Sequence, residues 1–185
     1  MTKTPKLSLH EKAFAKSDKK DAILVVEEKK LHVNKALLSI HSDYFNTLFN
    51  SDFKEKSMEE IEIKDVEFKD FATLLSLIHP RPFEITKGNA ENLLKLADRF
   101  LLSAAKFHVE LFIKTTSEFS RYEKLMLADK YNLKNLLKHV IGLYGERESF
   151  KDFWHISDRN FSDSLKVKIF DILFNRHGNF FLNWK

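Results

Sequence analysis

The hydrophobic period becomes helical for good near residue 67, and this constrains the fold more than any other feature. Before that point apolar residues come in short, branched or alternating runs. Ala22 to Val26 is one, Leu31-His32-Val33 follows after a charged break, and Ile61 and Ile63 alternate with Glu60, Glu62 and Lys64. Such runs read as strands, the first two joined by a tight turn at Glu27 to Lys30 and the third half-buried. Between them Leu37, Leu38, His41, Tyr44, Phe45, Leu48 and Phe49 take helical spacing, and Ser42 is placed to cap the second of two short helices. From Glu67 onward the period is helical throughout. Phe68, Phe71, Leu75 and Ile78 form one stripe, stopped by Pro80-Arg81-Pro82. Residues 89–100 repeat the pattern with Leu93, Ala97 and Phe100, and a further helix covers 103–115. Three strands are too few for a sandwich or a doubly wound sheet. The expected fold is α+β, a small three-stranded sheet capped by helices, with an all-helical extension behind it.

One pentapeptide recurs. LADRF at 96–100 returns as LADKY at 127–131, and His108-Val109 align with His139-Val140, so a helix pair is reused. Two copies are fewer than a solenoid needs, and the second reads as a helical extension of the first domain. Residues 149–175 supply more helices, with Phe150, Phe153 and Trp154 on one face and Leu165, Ile169 and Ile172 on another. Gly178 reads as a stop, and Phe180-Phe181-Leu182-Asn183-Trp184 as an apolar tail that folds back or docks elsewhere.

Charge is unevenly placed. Residues 1–20 carry six lysines against Glu11 and Asp18, while the other 165 residues carry 25 basic and 25 acidic side chains. The folded part is therefore neutral and the first twenty residues read as a basic tail, a pattern that argues against a nucleic-acid partner. No uncharged run is long enough to span a bilayer and the N-terminus has no signal-like apolar segment, so no membrane partner is expected. With no cysteine among its 185 residues, the chain has no disulfide framework, thiolate metal site or thiol nucleophile, and a cytoplasmic or nuclear location is the expectation.

The residues that carry chemistry do not assemble into a reactive motif. The glycines at 88, 142, 145 and 178 form no phosphate-cradling loop, and the eight histidines never stand four apart. Ser39, His41 and Asp43 alternate around a helical turn and point apart, which denies them a catalytic relay. No catalytic residue, no metal and no cofactor are expected, and the chain reads as a non-enzyme.

Residues 21–49, DAILVVEEKKLHVNKALLSIHSDYFNTLF, resemble the opening of a BTB/POZ domain. The downstream segments VEFKDFATLLSLIHP, NAENLLKLADRF and the helix with Ala104, Ala105 and Phe107 follow in that family's order, so the resemblance covers residues 21–116. Residues 117–185 then resemble the three-box or BACK-like extension of ubiquitin-ligase adaptors, and the wording of the BTB part is closest to the MATH–BTB branch. The resemblance implies a dimeric adaptor that joins cullin-3 to a substrate protein. It implies that Phe53 and Glu55 form a hydrophobic-x-Glu contact for the cullin, flanked by Tyr44 and His79. Read from the residues alone, Phe53 is more often a loop residue tucked onto the core, and the motif match brings the two readings level. It further implies a homodimer or heterodimer interface involving Asp21, Lys35, Leu37, Leu38, Phe45 and Leu48, with Leu7, Leu9 and Phe14 lending contacts. Residues 52–70 hold eight acidic side chains against four lysines, a patch suited to steering a basic partner or to plain solvation.

There are departures. Val33-Asn34-Lys35 stands where many members have Ala-His-Lys, Ile78-His79-Pro80-Arg81 where many have Ile-Tyr-Thr-Gly, and no MATH or Kelch module precedes the BTB segment. The alternative reading is a self-associating scaffold, or a mixed-dimer antagonist without cullin binding.

Overall fold

A computed structural model describes residues 7–50, 60–143 and 161–171. The chain forms two compact units, residues 1–109 and 110–185.

In the first unit, β1 (Ala22–Val26) is the middle strand of a three-stranded sheet ordered β2–β1–β3. It pairs antiparallel with β2 (Lys29–Val33), Leu24 opposite Leu31, and parallel with β3 (Glu60–Glu62), Leu24 opposite Ile61. Alternation puts Leu24, Val26, Leu31, Val33 and Ile61 into the core. The hairpin turn is Glu27-Glu28 alone, both at positive φ (48° and 63°), so Lys29 and Lys30, placed in the turn from sequence, belong to β2.

Helix α4 (Phe68–Ser76) is the centre of this unit. Phe68, Phe71, Ala72, Leu74 and Leu75 are all buried, and it packs along α5 (Lys87–Arg99). It ends at Ser76, and Ile78 is left partly exposed beyond the helix. Ser76 Oγ donates to the Thr73 carbonyl (2.6 Å) and accepts from the Phe83 N–H (2.9 Å), fastening the proline-bearing loop to the helix.

Two short helices, α2 (Lys35–His41) and α3 (Asp43–Asn50), meet at Ser42. Its hydroxyl accepts from the Phe45 N–H (3.1 Å), the expected cap, and donates to the Phe100 carbonyl (2.6 Å), which ties α3 to the end of α5. Phe100 is the hub of an aromatic cluster with Tyr44, Phe45 and Phe71 at centroid distances of 5.1, 5.8 and 5.0 Å.

Residues 7–20 differ from a solvated tail. Ser8 and Glu11 form a capping box that starts α1 (Leu9–Ala13), and Phe14 behind it is only 3% exposed. Lys20 Nζ donates to the carbonyls of Ala13 and Ala15 at the end of that helix (2.9 and 2.7 Å). The helix has no buried residue of its own, so no apolar stripe revealed it in the sequence.

Helix α6 (Ser103–Thr115) runs through the division at Val109. The second unit contains α7 (Arg121–Lys130), α8 (Lys134–Gly142) and a helix over residues 163–171. Leu125, Ala128, Leu136, Val140, Leu165 and Ile169 fill its core. The pentapeptide repeat is a structural repeat. After LADRF, the N–H groups of Phe100, Leu101 and Leu102 bond to Leu96, Asp98 and Ala97; after LADKY, those of Tyr131, Asn132 and Leu133 bond to Leu127, Asp129 and Ala128. Leu101 and Asn132 both sit at φ 51°. Phe150, Phe153, Trp154, Ile172, Gly178 and the Phe180–Trp184 tail lie outside the described residues.

Candidate protein-interaction surfaces

Helix α2 starts under two caps. Asn34 Oδ1 accepts from the Leu37 N–H and Asp21 Oδ1 from the Lys35 N–H, both at 2.8 Å. Asp21 and Lys35, matched to a charged pair near a dimer interface, are thus joined within one protomer through Lys35's backbone. The Lys35 ammonium lies 5.8 Å from the Phe49 ring centroid.

From this start the helix turns Leu38 inward, where it is 2% exposed, and leaves Ile40 at 78%. Leu37 and Leu48 are half-buried. Of the four aliphatic and aromatic residues assigned to the interface, Leu38 and Phe45 are enclosed by the protomer's own core and have no surface to offer a partner. Ile40 is the large apolar side chain that this helix exposes, and sequence reasoning passed over it. The run Leu37-Leu38-Ser39-Ile40 is too short for periodicity to say which residue faces out. Leu7 and Leu9, at 54% and 68%, are exposed on the N-terminal segment, whereas Phe14 is buried.

The residues assigned to cullin are divided. Phe53 and Glu55 lie outside the described residues. Tyr44 is partly buried, edge-on to Phe45 and Phe100 at 5.2 and 5.1 Å. His79 is partly buried at the other end of α4, its ring 6.0 Å from that of Phe14 and edge-on to it. Burial, followed by the nearby charges of Lys20 and His41, holds its imidazole below the ordinary histidine range. Among the described residues no three His, Asp or Glu side chains gather as a metal set, and no helix is long and apolar enough to cross a membrane.

The fold and its surfaces are those of a protein-interaction module. Residues 11–117 match the model of the BTB/POZ domain family, and the chain belongs to that family. It is similar to a BTB/POZ domain-containing protein of Caenorhabditis elegans, 38% identical over 161 residues, 86% of this chain and 51% of that protein. It is also similar to BTB and MATH domain-containing protein 36 of the same organism, 35% identical over 162 residues, 83% of this chain and 49% of the relative. The chain therefore spans about half the length of these curated relatives. The structure of the BTB domain of human gigaxonin matches 60% of this chain and 99% of its own, at 20% identity and a TM-score of 0.45.

Proposed function

We propose that this chain is a dimeric adaptor that links cullin-3 to a substrate protein, working in the cytoplasm or nucleus. The observation that carries the reading is Phe53-Lys54-Glu55, a hydrophobic-x-Glu sequence in the connection between α3 and β3 of a BTB domain. An aromatic anchor can fill a partner's pocket while the carboxylate fixes orientation. Similarity to BTB and MATH proteins supports the same reading. Dimerisation draws on Ile40 with half-buried Leu37, an aliphatic pair at the surface of α2. The substrate would be held by residues 145–185, including the Phe180–Trp184 segment, or by a dimer partner with its own recognition domain. The BTB domain is taken as residues 21–116, with 117–185 as a three-box or BACK-like extension.

His79 favours a second reading, a self-associating scaffold. Its ring packs against Phe14, which removes part of its surface from any cullin contact. Calorimetric titration with the cullin-3 N-terminal domain separates the two. An adaptor binds, and Phe53→Ala/Glu55→Ala costs about 2 kcal/mol or more, as truncation of an anchor does. A chain that dimerises and gives no cullin binding is the scaffold.

A further inference from the structure

The N-terminal segment is held against the domain by side chains that acid can charge. His10 on α1 lies with its ring 4.2 Å from that of Phe83, and its Nε2 is 3.2 Å from Thr73 Oγ1. The Thr73 hydroxyl gives its single proton to the Lys69 carbonyl (2.8 Å), so Oγ1 can only accept, and Nε2 of His10 carries the donated proton. An added proton must go to Nδ1. Four residues on, Phe14 is buried edge-on to His79, and its carbonyl accepts from the His32 N–H (2.9 Å) on the outer edge of β2. One histidine on the segment, the ring of a second and the backbone of a third thus meet at its contacts with the domain.

We propose that residues 9–20 form an acid-released strap, closed while His10, His32 and His79 are neutral and opened when they take up protons. The charges around these rings are mostly positive. His10 faces Lys69 and Asp70 of α4 and Thr73, and Asp70 is itself engaged by Asn92 Nδ2 at 2.5 Å. His32 faces Lys20 and Lys16 of the segment and Lys30 of its own strand, against Glu60 of β3, which is already paired with Lys30. His79 faces Lys20 and His41 of α2. Burial first, then these cations, push all three imidazoles below the ordinary value of 6.5.

The sign follows. The closed strap binds fewer protons than the open one, so the histidines' contribution to closure is fully present above the free value of 6.5 and is lost as pH falls below it toward their lowered values. Opening uncovers the seat of Phe14 and the edge of β2, where the His32 N–H loses its acceptor. The exposed strand edge then becomes available to another chain.

Amide hydrogen exchange and histidine NMR on the full chain, from about pH 7.5 to about pH 5, test the proposal. Corrected for intrinsic exchange, protection at His32, Phe14 and Lys20 is expected to fall about tenfold or more. Ile63, bonded to the Val25 carbonyl at the other side of the sheet, keeps its protection. A His10→Gln/His32→Gln/His79→Gln variant, which keeps a donor at position 10 and titrates at none of the three sites, should lose the pH dependence. The Phe14 ring resonances of the parent should shift with the same midpoint as the histidine rings. Constant protection at His32, a joint loss with Ile63, an undiminished pH response in the triple variant, or a Phe14 midpoint unlike those of the histidines each overturns the proposal. The parent's midpoints decide the matter even if the triple variant is open at every pH.

Discussion

A carboxylate oxygen of Glu27 accepts a hydrogen bond from the Phe68 N–H at 3.1 Å, so the hairpin turn caps the first residue of the central helix α4. This explains a glutamate at φ 48°, a conformation that L-residues with a Cβ avoid. Its neighbour Glu28, at φ 63°, has no such tie and is exposed. The two positions should therefore respond differently to the same substitution. Glu28→Gly relieves the turn and is expected to raise stability by up to about 1 kcal/mol. Glu27→Gly relieves the same strain but deletes the cap, worth about 1 kcal/mol, and should change stability little or lower it. Urea midpoints of the two variants, with unchanged m-values, check the contrast.

The structural repeat supplies its own control for a second prediction. Leu101 and Asn132 occupy equivalent left-handed turns at φ 51°, and Leu101 is 56% exposed, so it gains little from burial. Leu101→Asn is expected to stabilise the chain by roughly 0.5–1 kcal/mol, and Asn132→Leu to destabilise it by a similar amount. Thermal unfolding of the two variants measures both. Equal and opposite shifts are the expected outcome, and a loss at Leu101→Asn would mean that its side chain does more than fill the turn.

These turns mark where the sequence stops being legible. Strand and helix identities were readable because burial imposes periods of two and 3.6 on Leu24, Val26 and Leu31 and on Phe68, Phe71 and Leu75. The Ser42 cap was readable because a hydroxyl before a helical run has one obvious acceptor role. The Glu27-Glu28 turn was not readable to the residue, since neither glycine nor asparagine marks it and its support comes from Phe68, 41 residues away. The N-terminal helix was hidden for a related reason: it has no buried residue within its own five, and its anchor Phe14 follows it. At the surface, Leu37, Leu38 and Ile40 look alike in sequence, and only the placement of α2 on the domain separates the core residue from the exposed one.

In the second unit Glu110 is 8% exposed, and its Oε1 accepts from the Leu136 N–H at 2.7 Å, so a side chain of α6 caps α8. Lys124, also 8% exposed, does the converse, donating from α7 to the carbonyls of Lys114 (3.1 Å) and Thr116 (2.7 Å) at the end of α6. Burial holds its ammonium below the usual lysine range. Glu110→Ala leaves a buried donor unpaired and is expected to cost about 1–3 kcal/mol, with Glu110→Gln, which keeps an acceptor oxygen, losing less. Lys124→Met should cost about 1–2 kcal/mol by orphaning two carbonyls while keeping most of the packed stem. Exchange protection at the Leu136 amide reports the first substitution directly, ahead of any global unfolding.

The proposed dimer turns on Ile40, and the neighbouring Leu38 makes the test specific. Leu38 is 2% exposed and Ile40 78%, so the two side chains two positions apart belong to different environments. Leu38→Ala should cost roughly 2–5 kcal/mol of folding stability, the range for a core leucine, in monomer and dimer alike. Ile40→Lys should leave the urea midpoint of the dilute protein within about 0.5 kcal/mol, as surface changes do. If Ile40 lies in the interface, the same lysine buries an unpaired charge and shifts sedimentation from dimer to monomer, a loss of about 2 kcal/mol or more in association. An Ile40→Lys chain that is folded and still dimeric would move the interface away from α2, to the N-terminal face that exposes Leu7 and Leu9.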